Sequence, residues 1–266
     1  MGDTEARLGG RLIFLGTGTS TGVPVLGCDC RVCGSDDPRN QRTRPSVLLR
    51  LPAGNLLVDT TPELRLQLLR EGIKIVHAIA YTHSHVDHLY GFDDARLFPR
   101  LLGGPLPVYC DDETETTIRR VFSYAFHERA AAVPIGFLPR VRFERIEAGV
   151  PFEVLGQSVL PIALEHGRFR VLGFRIGNLA YCTDVNRIPE ASWPLLEGLD
   201  VLILDALRLD PHPTHFSLGE ALEVVERLKP GRTLLTHLSH GFDHGPTETT
   251  LPPHVGLAYD GLALEF

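Results

Sequence analysis

The sequence predicts an α/β fold built as a single domain over residues 1–266. Apolar segments of strand type precede a helical segment, and the same order repeats later in the chain. No linker or low-complexity tract separates the two halves, so we expect two similar layers rather than two separable domains. Residues 1–9 precede the first apolar run and are expected to be frayed.

Apolar runs bounded by turn residues predict the elements of the first half. Pro62 near the start of residues 62–72 and Gly72 at their end predict a helix. A strand feeds the most unusual motif of the chain, which begins at Thr82. The predicted strands here cover residues 11–16, 46–51, 55–60 and 75–82.

The second half repeats this pattern with longer connections. Residues 111–132 predict a surface helix, and residues 217–229 predict another. Ser217 with Glu220 forms a capping box at the start of the second helix, and Lys229-Pro230-Gly231 ends it. The predicted strand segments cover residues 142–149, 151–156, 158–167, 173–184, 200–207, 233–241 and 257–266.

Composition excludes some classes of partner. The formal net charge of -7 gives no general attraction to nucleic acid or to an anionic membrane. The apolar run near the start is too short for a signal peptide or a membrane span, so a cytoplasmic location is expected. Three of the five cysteines are clustered, which favours metal binding over disulfides.

A glycine-rich turn, "GTGTSTGVP", follows the first predicted strand. Such a turn is compatible with nucleotide binding or with a simple tight loop. It lacks the Lys-Ser/Thr ending of a phosphate-binding loop, and Val23-Pro24 gives no helical continuation. The tight loop is therefore the favoured interpretation.

The stretch "THSHVDH" places four metal-type ligands directly after an apolar strand. They are His83, His85, Asp87 and His88. A loop at the carboxyl end of a strand can direct all four side chains to one point, and a His-x-His pair plus an Asp-His pair is enough to begin two adjacent metal sites.

The remaining ligands have to come from elsewhere in the chain. His166, Asp184 and His237 each stand where an apolar strand meets a loop. Any one of them alone would be interpreted as an ordinary surface or core residue. Together with the earlier cluster they predict a metal centre.

The combination of "THSHVDH" with the later "EHG", "TD" and "LTHLSH" resembles the metallo-β-lactamase superfamily, from Arg11 to Phe266. Within it, "GTGTSTGVPVLGCDCRVC", "HPTHF" and "LTHLSH" resemble the PhnP-type branch of cyclic-phosphate phosphodiesterases. The resemblance implies an αββα sandwich with a dinuclear site at one edge of the two sheets. By the same resemblance, one ion is held by His83, His85 and His166, the other by Asp87, His88 and His237, and Asp184 bridges the two.

Two divalent ions, Mn²⁺ or Zn²⁺, suit phosphodiester hydrolysis because a water held between them ionises near neutral pH while the ions bind phosphoryl oxygens. Asp59 matches a superfamily aspartate that orients a metal-binding histidine, and the alternative is a turn aspartate at a strand end. Asp205 is placed similarly.

His215, in "HPTHF", has no metal partner at the usual spacing. It matches the position from which the PhnP-type branch presents a histidine to the substrate phosphate, where it would stabilise phosphoryl charge or protonate the leaving oxygen. A surface histidine at the helix terminus is the alternative, and His212 competes for the same role.

The cysteines of "CDCRVC" supply three thiolates, one ligand short of tetrahedral zinc. In the PhnP-type pattern His240 completes a structural zinc site. A redox or iron-sulfur site is the alternative, although the spacing departs from the familiar cluster motifs. Cys110 and Cys182 are expected to be buried as small apolar residues. The four predicted ligands are Cys28, Cys30, Cys33 and His240.

The leading hypothesis is a dinuclear phosphodiesterase that acts on a small cyclic or nucleotide-like phosphodiester, with Asp184 and His215 as catalytic residues. The alternatives are a thioesterase of the glyoxalase II kind, a tRNA 3′-processing endonuclease, an exported β-lactamase, and a non-catalytic ligand sensor that kept the metals. Nucleic acid and membrane are not expected as partners. The oligomeric state is open and allows a homodimer.

Overall fold

The computed structural model describes residues 10–266 and forms two seven-stranded sheets with helices on their outer faces. This confirms the α/β class and the αββα sandwich. Residues 1–9, expected to be frayed, lie outside the described residues. Within residues 10–266, no helix is both long enough and apolar enough to cross a membrane.

The first sheet contains seven strands in the order β14-β1-β2-β3-β4-β5-β6. Strands β3 to β6 run parallel to one another, and the pairs β14-β1, β1-β2 and β2-β3 are antiparallel. The bounds of these strands are β1 (Arg11–Gly16), β2 (Ser46–Leu51), β3 (Gly54–Val58), β4 (Ala78–Ala80), β5 (Leu106–Cys110), β6 (Val141–Arg145) and β14 (Ala263–Glu265).

The second sheet has the order β13-β12-β11-β10-β9-β8-β7. Strands β10 to β13 are parallel, while β7, β8 and β9 form an antiparallel meander. The bounds of these strands are β7 (Phe152–Val154), β8 (Gln157–His166), β9 (Phe169–Ile176), β10 (Leu179–Cys182), β11 (Val201–Asp205), β12 (Arg232–Thr236) and β13 (Val255–Leu257).

The α-helices cover the outer faces of the sheets or follow strand ends. The capping box of Ser217 and Glu220 is present, and Lys229 ends the same helix in the left-handed conformation with φ 50°. The α-helices are α1 (Leu64–Arg70), α2 (Val86–Leu89), α3 (Phe98–Leu102), α4 (Asp112–Val121), α5 (Leu218–Leu228) and α6 (His244–Glu248).

The core lies between the two sheets. Alternate residues of the strands face inward, such as Leu12, Phe14, Phe174 and Tyr181, all of them buried. Two further apolar clusters join the outer face of each sheet to its helices. Apolar side chains are therefore buried on both faces of each sheet. This packing fixes the positions of the strand ends, where the polar motifs lie.

The predicted helix over residues 111–132 is wrong in its length. Helix α4 ends at Val121, and two short 3₁₀ turns follow, Ser123–Ala125 and Glu128–Ala132. The reason is tertiary: Phe122 is buried with its ring centroid 4.9 Å from that of Phe92. Packing of this ring, which local propensity does not contain, stops the helix.

The last predicted strand segment also divides. β13 joins the second sheet and β14 joins the first, so the chain crosses between the layers at residues 258–262. Asp260 fixes this crossing, because its carboxylate, on a side chain that is only 6% exposed, accepts hydrogen bonds from the backbone and hydroxyl groups of both Thr17 and Thr43 at 2.6–2.9 Å. Burial raises the pKa of Asp260 despite these bonds.

Candidate metal centre

Three of the polar residues at the strand ends have a left-handed backbone. Asp59 follows β3, Asp184 follows β10 and His237 follows β12, with φ values of 65°, 53° and 60°. Residues other than glycine rarely adopt this conformation, and their surroundings must hold them in it. Strands β10, β11 and β12 are parallel, so Asp184 and His237 lie at the same end of the second sheet, while Asp59 lies at the end of β3 in the first sheet.

His83, His85 and His166 form a first group of ligands. Each offers a ring nitrogen, and these atoms lie within 4.8 Å of one another. His83 and His85 come from the loop after β4, whereas His166 ends β8. One sheet therefore supplies two of the imidazoles and the other sheet supplies the third.

Asp87, His88, Asp184 and His237 form a second group, again with ligand atoms within 4.8 Å. Asp184 lies between the two imidazoles, with Oδ2 at 3.1 Å from His88 Nε2 and Oδ1 at 3.3 Å from His237 Nε2. The Asp184 carboxylate also lies within 4.8 Å of a ring nitrogen of His166 in the first group. This places Asp184 between the two groups, where the resemblance expects a bridging ligand.

Unpartnered nitrogens test whether these residues suit metal ions. Within residues 10–266, the buried Nε2 atom of His83 has no hydrogen-bond partner, and those of His88 and His237 face only carboxylate oxygens of Asp87 and Asp184 at 3.1–3.7 Å. A buried polar atom without a partner costs about 1–3 kcal/mol. Imidazole nitrogens beside carboxylates are ligands that Zn²⁺ and Mn²⁺ accept, so the donor set fits a pair of divalent ions.

In His88 and His166, the Nδ1 atom of the ring is held by a hydrogen bond. His88 Nδ1 donates to Asp59 Oδ2 at 2.7 Å, and Asp59 also accepts from the backbone and hydroxyl groups of Thr82 at 2.8 Å. His166 Nδ1 donates to the Thr214 carbonyl oxygen at 2.6 Å. These bonds leave Nε2 free to act as a ligand. Asp59 is therefore both a turn residue and the residue that orients His88.

Burial and neighbouring charges set the pKa values of the cluster. Burial, together with His88, holds the pKa of His83 well below its ordinary value, which keeps this ring neutral. Burial alone would raise the pKa of Asp184, but His237 and His88 outweigh it and hold that pKa well below the usual range. Burial would lower the pKa of His237, but Asp184 and other carboxylates raise it to about 9, so protons compete with cations for this ring.

His215 lies against both groups of ligands. Its ring centroid is 4.5 Å from that of His166 and 4.6 Å from that of His237. His215 Nδ1 donates to Asp205 Oδ2 at 2.7 Å, so the opposite nitrogen is free to act at the site. Asp205, expected to resemble Asp59 in orienting a metal-binding histidine, thus contacts His215. Within residues 10–266, the only aromatic-ring contact of His212 is with His215, at 5.4 Å.

The cysteine motif forms a separate group with His240. The sulfur atoms of Cys28, Cys30 and Cys33 lie 3.3–3.5 Å from His240 Nδ1. The Cys33 amide donates to the Cys30 sulfur at 3.4 Å and lowers the pKa of Cys30 to about 6, whereas burial raises that of Cys33 to about 11. Three sulfur atoms and one imidazole are the donor set of a structural zinc site. Cys110 and Cys182 are buried elsewhere as expected.

Sequence reasoning missed the residue that joins the cysteine loop to the chain near His240. Arg42 is buried and donates to the carbonyl oxygens of Ser239 and Phe242 and to Asn40 Oδ1, at 2.9–3.0 Å. Burial lowers the pKa of Arg42 to about 10, so its charge persists at neutral pH. No local signal in the sequence distinguishes this arginine, because its two carbonyl partners, Ser239 and Phe242, are 197 and 200 positions away.

The chain is similar to known proteins in both sequence and fold. The family model described as a beta-lactamase superfamily domain matches residues 54–238. A crystal structure of a new diphosphatase from the PhnP family is 44% identical, covers 97% of both chains and superposes with a TM-score of 0.90. The chain belongs to the PhnP branch of the metallo-β-lactamase superfamily. It is a hydrolase of that superfamily.

Other relatives of this PhnP-family chain carry different names. The chain is 36% identical over 258 residues to an octanoyltransferase of Porphyromonas gingivalis. The matched region covers 95% of this chain and 51% of that protein. It therefore spans about half the length of this relative. A ribonuclease Z of Pyrobaculum neutrophilum is 24% identical over 94% of this chain and 96% of that protein. The Zn²⁺-bound PqqB of Methylobacterium extorquens, 21% identical over 96% of this chain and 99% of that one, shares the fold with a TM-score of 0.77.

Proposed function

We propose that this PhnP-family chain is a dinuclear metal-dependent phosphodiesterase that hydrolyses a small phosphodiester, of the phosphoribosyl cyclic phosphate or nucleotide-like kind. The observation that carries the proposal is His215, which lies beside both ligand groups and whose Nδ1 is held by a buried carboxylate. A third chemical group beside two metal sites is what a reaction with a poor leaving group needs.

In this proposal His83, His85 and His166 would hold one ion and Asp87, His88 and His237 would hold the other; Asp184 lies near ligand atoms of both groups and would serve both ions. A pair of divalent ions supplies Lewis acidity and a nucleophile at neutral pH. Asp59 and the Thr214 carbonyl oxygen keep His88 and His166 in the tautomer that exposes Nε2. A structural zinc held by Cys28, Cys30, Cys33 and His240 completes the assignment.

His215 acts on the leaving group. Asp205 Oδ2 accepts hydrogen bonds from His215 Nδ1 at 2.7 Å and from the Val185 amide at 2.8 Å, so both the carboxylate and the ring are held in place. In the reaction His215 acts as the imidazolium: Nδ1–H stays bonded to Asp205, and Nε2–H gives its proton to the departing oxygen or stabilises charge on the phosphoryl group. The Asp205 carboxylate orients the ring and stabilises its positive charge.

A small substrate fits the charge of the chain better than a nucleic acid does. The net charge is -7, and a polyanion gains no general attraction from such a surface. The similarity to a ribonuclease Z therefore supports a shared fold and does not support activity on nucleic acid in this chain. The similarity to the octanoyltransferase, half of whose length lies outside the match, likewise does not support that protein's activity in this chain.

The proposal is tested on one sample of known metal content. Elemental analysis is expected to find about three ions per chain, two in the His/Asp groups and one at the cysteines. The same sample is assayed with phosphodiesters, phosphomonoesters, a thioester and a β-lactam, and the phosphodiesters should be hydrolysed fastest. A fully loaded sample that prefers the thioester or the β-lactam, or that hydrolyses none of them, contradicts the proposal.

A further inference from the structure

The β8–β9 hairpin brings an aromatic residue next to the metal-ligand groups. His166 and Phe169 are directly paired across the turn formed by Gly167 and Arg168. Arg168, Phe169 and Arg170 are all exposed. The strand pairing therefore fixes Phe169 relative to the ligand His166, while its side chain stays accessible.

Phe169 borders the opening of the site. Its ring centroid lies 5.3 Å from that of His85 at an interplanar angle of 78°, so one part of the ring contacts the ligand group. The residue is nevertheless 55% exposed. A cavity of about 50 Å³ separates Phe169 and Arg170 from Asp111 and Glu113 at the start of α4, and His83 and His85 also line it. A molecule bound at the ligand groups would meet this ring.

One side chain and one close backbone approach hold the hairpin in place. Asn186 Oδ1 accepts from the Gly167 amide at 2.7 Å, and Asn186 Nδ2 donates to the Pro213 carbonyl oxygen at 3.0 Å. A Cβ atom on Gly167 would lie 2.8 Å from the Thr214 Cγ2 atom, so only glycine allows this close approach. The aromatic ring is therefore presented by a fixed support, tied to the loop that carries His215.

Arg170 follows Phe169 in β9, and both residues line the cavity that Asp111 and Glu113 border on its other side. Neither Arg168 nor Arg170 forms an ion pair within residues 10–266, whereas the nearby Arg187 pairs with Glu165 at 2.8 Å. An aromatic ring and a guanidinium that reach the same ligand are a combination that binds flat heterocycles, because both groups stack on them.

We propose that Phe169 and Arg170 form a stacking subsite for a nucleobase on the part of the phosphodiester that is retained after cleavage. The inference rests on the proposed function and narrows its substrate class to nucleoside phosphodiesters. His215 contacts His166 and His237, whereas Phe169 contacts His85. The leaving oxygen at His215 and the retained ester group at Phe169 then lie on different sides of the ligand groups.

The test compares two substrates with the same leaving group, thymidine 5′-(p-nitrophenyl) phosphate and methyl p-nitrophenyl phosphate. The wild-type hydrolase should prefer the thymidine ester through a lower KM. Phe169→Leu should raise that KM on the order of tenfold, as expected for loss of stacking on one base, and leave the methyl ester unchanged. Phe169→Tyr should restore the preference. Phe137→Leu, at another exposed phenylalanine, is the matched control and should change neither substrate.

Binding of thymidine 5′-monophosphate to the metal-loaded protein, followed by calorimetry, separates this subsite from the reaction. Weaker binding in Phe169→Leu than in the wild type, without hydrolysis of either ester, would reject the phosphodiesterase proposal and keep the subsite. Equal loss on both esters in Phe169→Leu would show that the ring only supports His85. No preference for the thymidine ester in the wild type, with unchanged nucleotide binding in the variant, would overturn the subsite.

Discussion

The His/Asp metal centre and the cysteine site differ in the structural elements that hold their ligands. The His/Asp ligands follow strands of both sheets, and most of them are buried. The cysteine ligands lie on one irregular loop of residues 28–33 and meet His240 from a second loop. Hydrogen bonds of the sheets fix the first set of positions, whereas few regular elements fix the second.

This difference indicates different roles. A site whose ligands are positioned by two sheets and oriented by Asp59 and the Thr214 carbonyl oxygen is preorganised for chemistry. A site made by two loops needs its ion to hold those loops together, as structural zinc does. Loss of a ligand at the first site should therefore remove activity, and loss of a ligand at the second should remove stability.

The largest effect is expected for Asp184→Asn. Asparagine tolerates the left-handed backbone at this position, but it removes the charge that lies between His88 and His237. Loss of several kcal/mol of metal-dependent stabilisation corresponds to a decrease in kcat on the order of a thousandfold or more. Elemental analysis should show loss of the catalytic ions with the cysteine zinc retained. A variant that is folded, fully loaded and active would remove the distinction between the two sites.

The next effect concerns His215→Ala, which sharpens the comparison by separating metal binding from proton transfer. All metals should be retained, because His215 Nδ1 is engaged by Asp205 and the seven ligands are intact. General acid catalysis is worth about a hundred- to ten-thousandfold when the leaving oxygen is a poor one. A ribose cyclic phosphate should therefore lose most of its turnover, while an aryl diester, which leaves as a stabilised phenolate, should lose far less.

Steady-state kinetics on both substrates, with His212→Ala as the matched control, decide the role of His215. Equal slowing of the two substrates by His215→Ala would mean that the ring binds phosphate or holds its loop. If neither substrate slows and His212→Ala shows the selective loss, then His212 is the residue that serves the leaving group.

Much of the fold was predictable because its strands have local apolar patterns. What the sequence could not show is which sheet a strand joins, as with β13 and β14, or where a distant ring stops a helix, as with Phe122. These outcomes depend on tertiary contacts, which override local propensity.

The candidate site shows the same division. His83, His85, Asp87 and His88 stand together in one motif, and the later ligands follow apolar strands, so their grouping was predictable. Partners that belong to no motif were not. The contact of Asp205 with His215, and the clamps formed by Arg42 and Asn186, join loops through hydrogen bonds that only the folded topology brings together.

A smaller effect is expected for Asp59→Asn, which tests whether orientation contributes to the preorganised site. The amide can still accept the Nδ1 proton of His88 but carries no charge, and asparagine accepts the left-handed φ of 65°. Removal of such a partner typically weakens metal affinity about 10–100-fold. Competition with a chelator measures this affinity. Asp205→Asn is the contrast, because it should spare metal affinity and slow only the cyclic substrate; equal loss of affinity in both variants would contradict the assignment of Asp59.

The smallest effect on turnover is expected for Cys30→Ser. This variant should separate the two sites most clearly, because it should lower stability and leave activity nearly unchanged. The Cys33 amide lowers the pKa of the Cys30 thiol to about 6, whereas burial raises that of Cys33 to about 11, so Cys30 is better prepared than Cys33 to bind a cation as a thiolate. A serine hydroxyl is a poor zinc ligand in a thiolate site. The zinc should be lost, and the cysteine loop should then be held to the chain near His240 by the ion pair of Arg31 with Asp243 and, beyond the loop, by Arg42.

Because the hydrogen bonds of Arg42 remain intact, the chain should still fold with its sheets and its His/Asp ligands in place. Loss of a structural ion should lower Tm by about 10 °C in a domain of this size. The kcat per folded, dinuclear molecule should stay within about twofold of the wild type, since none of the ligands that contact Asp184 changes. Calorimetry with elemental analysis and active-site titration provides these values. If turnover per folded molecule falls as far as it does in Asp184→Asn, the cysteine group takes part in the reaction and the two sites do not have separate roles.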